Sequence, residues 1–578
     1  MKTLNIKNQN INLSLQNRNL IIGFLFLLAL IFKLLIFFLV TDPIIFNKYP
    51  YFAQNIIQGK DIGERLLDIS PFYLLVNILS YYLYGTNWEA LVIVQVIIAS
   101  LNSVLVFLIG EKFFGRPVGI IAALLLIFYV NLTIIDLTLE PESILIFINS
   151  LIIFMLIKAK ESSQYKYNFL LWFAAGCLMG LSVITKPNSL VVLIGVLIWM
   201  WITGGNYKLK LKSSILLLTG VIVFIAPITA RNYLKFNDFI MTTADGGKVF
   251  YHGNGPGANG MGRADLPFQG FIEEKKNDPD AAHAMFRETA RAISGYPLKP
   301  SQCSGFWFDR TLDYIKSDPA QWLSLELRKF YLFWNKYEVH DLDSNYKNYV
   351  TLTKMPLINF GVISVLGILG MLLSIKSFRQ TFLLNWMILA YLATTLVFFA
   401  SSRYRIPAVP FLCIFAGYAI TYLSDLLKKK KIKETGMMLS VLIILGLLTN
   451  IPYREEIARY DRWQMATRVH YSLGANLSFK RGMYELAIEE LKKTIALEPD
   501  FVPAYNMLGK SYAILNNLEQ AEINFRQVIR LAPELEEGYL NLGLLYRLKG
   551  DKPQEKYYLK KALSINPDNE KIKKYLDK

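Results

Sequence analysis

Apolar runs of membrane-spanning length recur along this chain as far as residue 452, and they constrain its fold more than any other feature. A run of about 18 or more residues with few charges is long enough to cross a bilayer as a helix. Eleven spans are expected, at about 20–40, 89–110, 118–135, 141–157, 168–185, 189–204, 213–231, 355–375, 381–400, 405–426 and 436–452. The first run is too long for a cleaved signal and "VTDP" offers no small-residue cleavage site, so it is expected to remain as an anchor. With 53% hydrophobic and 14% aromatic residues, the composition is too apolar for a water-soluble chain of 578 residues.

The formal net charge of +17 would suit nucleic acid only if it formed a patch on a folded face. Most of the excess instead lies in short loops, "EKFFGRP" (111–117), "KAKESSQYKY" (158–167), "NYKLKLK" (206–212), "IKSFRQ" (375–380) and "KKKKIK" (428–433). Under this span count all of them fall on the same side as the N-terminal tail, which the positive-inside rule makes the cytoplasm. No nucleic-acid partner is expected. Cys177, Cys303 and Cys413 lie far apart without metal-ligand spacing, so neither a zinc site nor a disulfide framework is expected.

Only the tail from about Tyr453 reads as soluble. Pro499, Pro533 and Pro567 are spaced by thirty-four residues, and so are Gly482, Asn516 and Gly550. That period, with Tyr505, Leu508, Gly509 and Tyr512 repeated as Tyr539, Leu542, Gly543 and Tyr546, is the tetratricopeptide pattern. Glu555 departs from it, standing where a small alanine is expected. A looser first unit covers about 468–501. Such helix pairs stack into a solenoid whose groove binds a peptide or protein, or they serve as a spacer.

The opposite face of the membrane collects charge that a bilayer disfavours. Asp42 follows the first span in "LVTDP", and "DLTLEPES" after the third span carries Asp136, Glu140 and Glu142. Carboxylates at membrane depth are costly unless paired or functional. One can take a proton from an acceptor hydroxyl while another positions the acceptor or holds a divalent metal. An acid at the start of the fourth span also complements its helix dipole. Cations stand at the outer span ends too: Lys186 in "TKPN", and Arg403 and Arg405 in "SSRYRIPAVP". An Arg fork suits phosphate, and interfacial snorkelling is the simpler alternative. Lys33 inside the first span is out of place and needs a polar partner or an outward reach. Tyr51 in the first loop, and His252 and Asn254 in the Gly-rich "FYHGNGPGANGMG" (250–262), are further loop candidates.

Taken in order, "DP" with "YFAQNIIQG", "SPFYLL", "LIGEKFFGRPVGIIAALL", "LEPES", "ITKPN", "GNGPGANG", "FWNKYE" and "RYRIPAVP" resemble the GT-C membrane glycosyltransferases of the family 39 type, over about residues 15–425. That group includes the protein O-mannosyltransferases and the bacterial aminoarabinose transferase. The resemblance implies an all-α polytopic protein and a donor sugar carried on a polyprenyl phosphate outside the cytoplasm; the repeats add a C-terminal α-solenoid, which the odd span count places outside as well. It further implies that Asp42 is the first-loop catalytic carboxylate, that one of Asp136, Glu140 and Glu142, foremost Glu140, is the second acid, and that Lys186, Arg403 and Arg405 meet the lipid phosphate. Members differ over a divalent metal, so none is assigned.

The expected organisation is a cytoplasmic tail (1–19), a first membrane region (20–231), an outer cap (232–350), a second membrane region (351–452) and the repeats (453–578), in the inner membrane of a prokaryote. The competing readings are an O-antigen ligase or polymerase-like transferase, and a non-catalytic membrane scaffold that recruits partners through its repeats.

Overall fold

The computed structural model describes residues 2–40, 48–339, 352, 355–452, 467, 470–471, 473–475 and 482–576, apart from 86, 162–164, 204–205, 263–280 and 568. Asp42, the first-loop candidate, lies outside the described residues. The chain divides into two compact units, and the second begins at Tyr453 for the main part of its length.

The first unit is a helical bundle. Its helices are α1 (Lys2–Val40), α2 (Lys48–Ile57), α3 (Pro71–Tyr84), α4 (Trp88–Phe114), α5 (Arg116–Ile127), α6 (Val130–Asp136) and α7 (Glu142–Glu161). They continue as α8 (Tyr165–Thr185), α9 (Leu190–Ile202), α10 (Tyr207–Phe236), α11 (Gly246–Asn254), α12 (Ala281–Ser294), α13 (Pro300–Ser317) and α14 (Pro319–Trp334). Helices Phe360–Leu373, Phe378–Val397, Ser402–Arg405, Val409–Lys428 and Ile432–Asn450 complete it. Among the described residues, eight helices are long and apolar enough to cross a membrane, and three shorter apolar helices span Arg116–Ile127, Pro187–Ile202 and Phe360–Leu373. Each of the eleven expected runs therefore contains a helix.

One run differs from expectation. The stretch 118–135, expected as one span, is two helices, α5 and α6, broken at Phe128 and Tyr129. A distant segment takes over the broken helix's hydrogen bonds. Val130 N donates to the Ile358 carbonyl and Ile358 N to the Phe128 carbonyl, both at 3.0 Å. A buried peptide group left without a partner is costly, so this exchange is what allows the helix to stop mid-run.

The bundle core is largely apolar, with Phe52, Tyr73, Tyr129, Phe360, Phe411 and Phe415 buried in it. Lys33, out of place in the sequence, is buried in α1 and reaches Asp136 Oδ2 at 2.6 Å. The Ser143 hydroxyl donates to Asp136 Oδ1 at 2.7 Å. A buried charge is tolerable when paired and hydrogen-bonded, and this one is both.

Between α10 and helix Phe360–Leu373 lies a small helical cap. Tyr251, Met285, Phe286, Leu298, Cys303 and Trp307 make a core of its own. Two arginines of α12 bind the loop after α2: Arg287 meets Asp68 at 2.5 Å and Arg291 meets Glu64 at 2.9 Å.

The second unit is a stack of helix pairs, Val502–Ile514 with Leu518–Leu531 and Glu536–Lys549 with Lys552–Ile565, preceded by Tyr484–Leu497. The thirty-four-residue spacing of Gly482, Asn516 and Gly550 has a backbone cause: all three adopt positive φ, at 67°, 60° and 77°. Gly and Asn are the residues that enter this left-handed region most readily, so the period marks the tight turns. Glu555 accepts a hydrogen bond from Arg547 Nε at 2.5 Å, which explains a charge where a small residue was expected. Much of the looser first unit, 468–481, lies outside the described residues.

Candidate active site

The acidic turn between α6 and α7 is held from outside its own sequence. Gln95 of α4 donates from Nε2 to the Thr138 carbonyl at 2.7 Å and accepts from the Tyr73 hydroxyl at 2.5 Å. The Glu140 amide donates to the Thr138 carbonyl at 2.9 Å, which folds the turn tightly before Pro141. Glu142 then occupies the first turn of α7, where the helix dipole favours a negative charge.

Four of the expected residues meet here. Lys186, in the turn after α8, reaches Glu142 Oε1 at 2.5 Å. Arg403 Nη1 reaches Glu140 Oε2 at 3.2 Å and Glu142 Oε1 at 3.6 Å. Lys186 also stands over the Tyr404 ring, 4.9 Å from its centroid. Two carboxylates and two cations from three distant parts of the chain thus form one cluster. Glu142 is fully buried, while Arg403 and Lys186 keep 21% and 15% of their side chains exposed. The cations are therefore the more exposed part. Glu142 Oε2 has no hydrogen-bond partner among the described residues.

Burial pushes the Glu140 carboxyl up to about 7; Arg403 opposes the rise and Glu142 adds to it. A carboxyl poised near neutrality can hold or release a proton at small cost. The phenol of Tyr49, edge-on to Tyr73 at 4.8 Å, is pushed up by burial and by the Glu140 charge.

Asp136 competed with Glu140 and Glu142 on sequence, and it is committed to Lys33 and Ser143. Arg405 is also turned away from the cluster. Its guanidinium donates to the carbonyls of Leu332, Phe333, Asn335 and Tyr337 at 2.7–3.3 Å and to Glu338 Oε2 at 2.6 Å. Asn254 is an internal joint of the cap, accepting from Trp322 and Lys329 and donating to the Phe250 and Val397 carbonyls. His252 packs on the Phe286 ring at 4.9 Å, and burial lowers its imidazole to about 4. Tyr51 stacks edge-on against Phe52 at the rim of the bundle core.

Sequence reasoning missed Gln95 and Tyr73; a lone Gln within "ALVIVQVII" was the available signal. Among the described residues no group of three or more His, Cys, Asp or Glu is placed to hold a metal ion. Glu140 and Glu142 are each answered by a cation instead, a donor set that suits a divalent ion poorly.

Comparison with known proteins gives matches of three kinds. Residues 68–230 match the family described as dolichyl-phosphate-mannose-protein mannosyltransferase, and 502–535 and 536–569 match the tetratricopeptide repeat. Anaphase-promoting complex subunit 3 of Schizosaccharomyces pombe is 28% identical over 83 residues, covering 14% of this chain and 12% of that protein. The cell division cycle protein 27 homolog of Caenorhabditis elegans is 29% identical over 155 residues, covering 25% and 19%. Among solved structures, the Archaeoglobus fulgidus oligosaccharyltransferase in its apo form is 12% identical with a TM-score of 0.43, covering 85% of this chain and 57% of that one. The same enzyme tethered to an acceptor peptide gives 13% and 0.43, covering 86% and 58%. The chain spans less than a fifth of the curated relatives and under three-fifths of the solved chains. Residues 68–230 thus carry a domain that matches the dolichyl-phosphate-mannose-protein mannosyltransferase family, and residues 502–569 are tetratricopeptide repeats.

Proposed function

We propose that this protein transfers a sugar from a polyprenyl-phosphate-linked donor to an acceptor, protein or envelope glycolipid, on the extracytoplasmic side of a prokaryotic inner membrane. The observation that carries the reading is the meeting of Glu140, Glu142, Lys186 and Arg403 at one end of the apolar bundle. The family of residues 68–230 supports a lipid-linked donor, and the repeats support a protein partner.

The chemistry is a direct displacement. An acceptor hydroxyl oxygen bonds to the anomeric carbon as the bond from that carbon to the phosphate oxygen breaks. The configuration inverts and the polyprenyl phosphate leaves with its negative charge. Arg403 and Lys186 face that charge with preorganised positive donors, which is the largest help a protein gives to such a step. The hydroxyl proton goes to a carboxylate, assigned to Asp42, with Glu140 as the second acid at the same site. Glu142 orients Lys186 through its buried ion pair.

The test compares glycans on envelope proteins and glycolipids by mass spectrometry, with and without the gene. A missing glycan names the acceptor. Retention of every glycan by an Asp42→Asn, Glu140→Gln double variant would refute the proposal. Cysteine labelling at position 42 from the cytosol alone would refute its sidedness.

A further inference from the structure

The motif "FWNKYE" takes no part in the cluster described above, yet its glutamate accepts four side-chain hydrogen bonds. Glu338 is buried, 4% exposed. Its Oε1 accepts from the Tyr129 hydroxyl at 2.8 Å. Its Oε2 accepts from Asn131 Nδ2 at 2.9 Å, the Ser402 hydroxyl at 2.6 Å and Arg405 Nη2 at 2.6 Å. The Ser402 amide adds a backbone bond to the Val339 carbonyl at 2.9 Å. Arg405 closes the other side through four carbonyls of residues 332–337 and lies 3.7 Å from the Phe360 ring centroid.

These bonds join three segments: the start of α6, residues 332–338 and the short helix Ser402–Arg405. Tyr129 and Asn131 begin α6, which runs directly into the turn carrying Glu140. Ser402 and Arg405 flank Arg403 on its four-residue helix, too short to hold a fixed direction by its own hydrogen bonds. Residues two apart on a helix point to different sides. Arg405 is therefore fastened on one side while Arg403 is presented on the other.

We propose that Glu338 is a positioning residue, which through Arg405 and Ser402 sets where the Arg403 guanidinium stands relative to Glu140. Its consequence for catalysis rests on the function proposed above; the positioning itself does not. Glu338 makes no hydrogen bond or ion pair to any of the four cluster residues, so it reaches Arg403 only through its neighbours Ser402 and Arg405. A displacement of about 1 Å at a catalytic group costs on the order of 100-fold in rate, so a loosened latch is expected to be felt at the site.

The test uses purified full-length protein in detergent, with undecaprenyl phosphate as the probe ligand and infrared titration of the Glu140 carboxyl as a second readout. Glu338→Gln is expected to weaken probe binding about tenfold, and to weaken it less than twofold further when Arg403→Gln is already present. It is also expected to move the Glu140 titration upward, because Arg403 no longer stands beside it. Should Glu338→Gln fail to fold, Arg405→Lys, which keeps the charge and loses the fork, carries the same expectations. A penalty that persists undiminished alongside Arg403→Gln, or an unmoved Glu140 titration in the folded variant, overturns the latch. Unchanged probe binding by Arg403→Gln itself counts against the proposed function instead, and the infrared readout still decides the latch.

Discussion

Replacing Arg403 by glutamine should raise the pH at which Glu140 ionises. Burial, with a smaller push from Glu142, drives that carboxyl up from an ordinary value of 4.5 to about 7, against the opposing pull of Arg403. The guanidinium lies 3.2 Å from Glu140 Oε2. Two unit charges at that separation attract by about 1.3 kcal/mol even at the dielectric of water. One pH unit corresponds to about 1.4 kcal/mol, so the lower limit of the expected rise is about one unit. Arg403 is one-fifth exposed, which argues for quoting this screened limit rather than a buried-pair value. The sign also fixes a stability effect. A raised folded value means that the contribution of Glu140 is fully present below about 4.5 and is lost as pH rises through about 7. The assay is the infrared C=O band of protonated carboxyls, followed against pH and subtracted from that of Glu140→Gln. The subtraction removes Asp68, whose burial raises it to about 6. The parent is expected to lose the Glu140 band with a midpoint near 7, and Arg403→Gln with a midpoint near 8 or above. A midpoint near 4.5 in the parent, or one that falls or stays put in Arg403→Gln, would refute the reasoning.

Three further outcomes are expected. Lys33→Met strands Asp136 in the bundle and should cost about 3–5 kcal/mol, with much of it recovered by adding Asp136→Leu; an unchanged melting temperature in the single variant speaks against the pair. His252 is held well below its ordinary 6.5, so its contribution is present above that pH and is lost as pH falls toward about 4. The parent should therefore melt lower at pH 5 than at pH 7, and His252→Leu should show a smaller drop. A Cβ on Gly370 would overlap the Phe415 carbonyl across the contact between helices Phe360–Leu373 and Val409–Lys428. Gly370→Val should thus lower stability by about 1–3 kcal/mol, read as a melting shift with little change at the cluster.

The helices and the repeat were legible because each is a local pattern. Hydrophobic length marks the runs, and the thirty-four-residue period marks turns that need Gly or Asn. Glu140, Glu142, Lys186 and Arg403 stood out because charge at a span end is expensive. The break at Phe128 was not legible, since its cause is Ile358, more than two hundred residues away. Nor could the sequence separate Arg403 from Arg405. Both lie in one short turn, and only the fold assigns one to the cluster and the other to Glu338. Asp136 was ambiguous for the same reason, because its partner Lys33 belongs to another helix.

The pairing within the cluster has a consequence for whatever enters it. With Glu140 matched to Arg403 and Glu142 to Lys186, an incoming anion finds no idle cation in that quartet and has to win one from its acid. The acid that loses Arg403 sits where water is scarce, already inclined to be neutral, and regains balance by picking up a hydrogen ion. On the function proposed above, entry of the donor's phosphate and uptake of a proton become one event, tighter in mildly acidic surroundings than in alkaline ones.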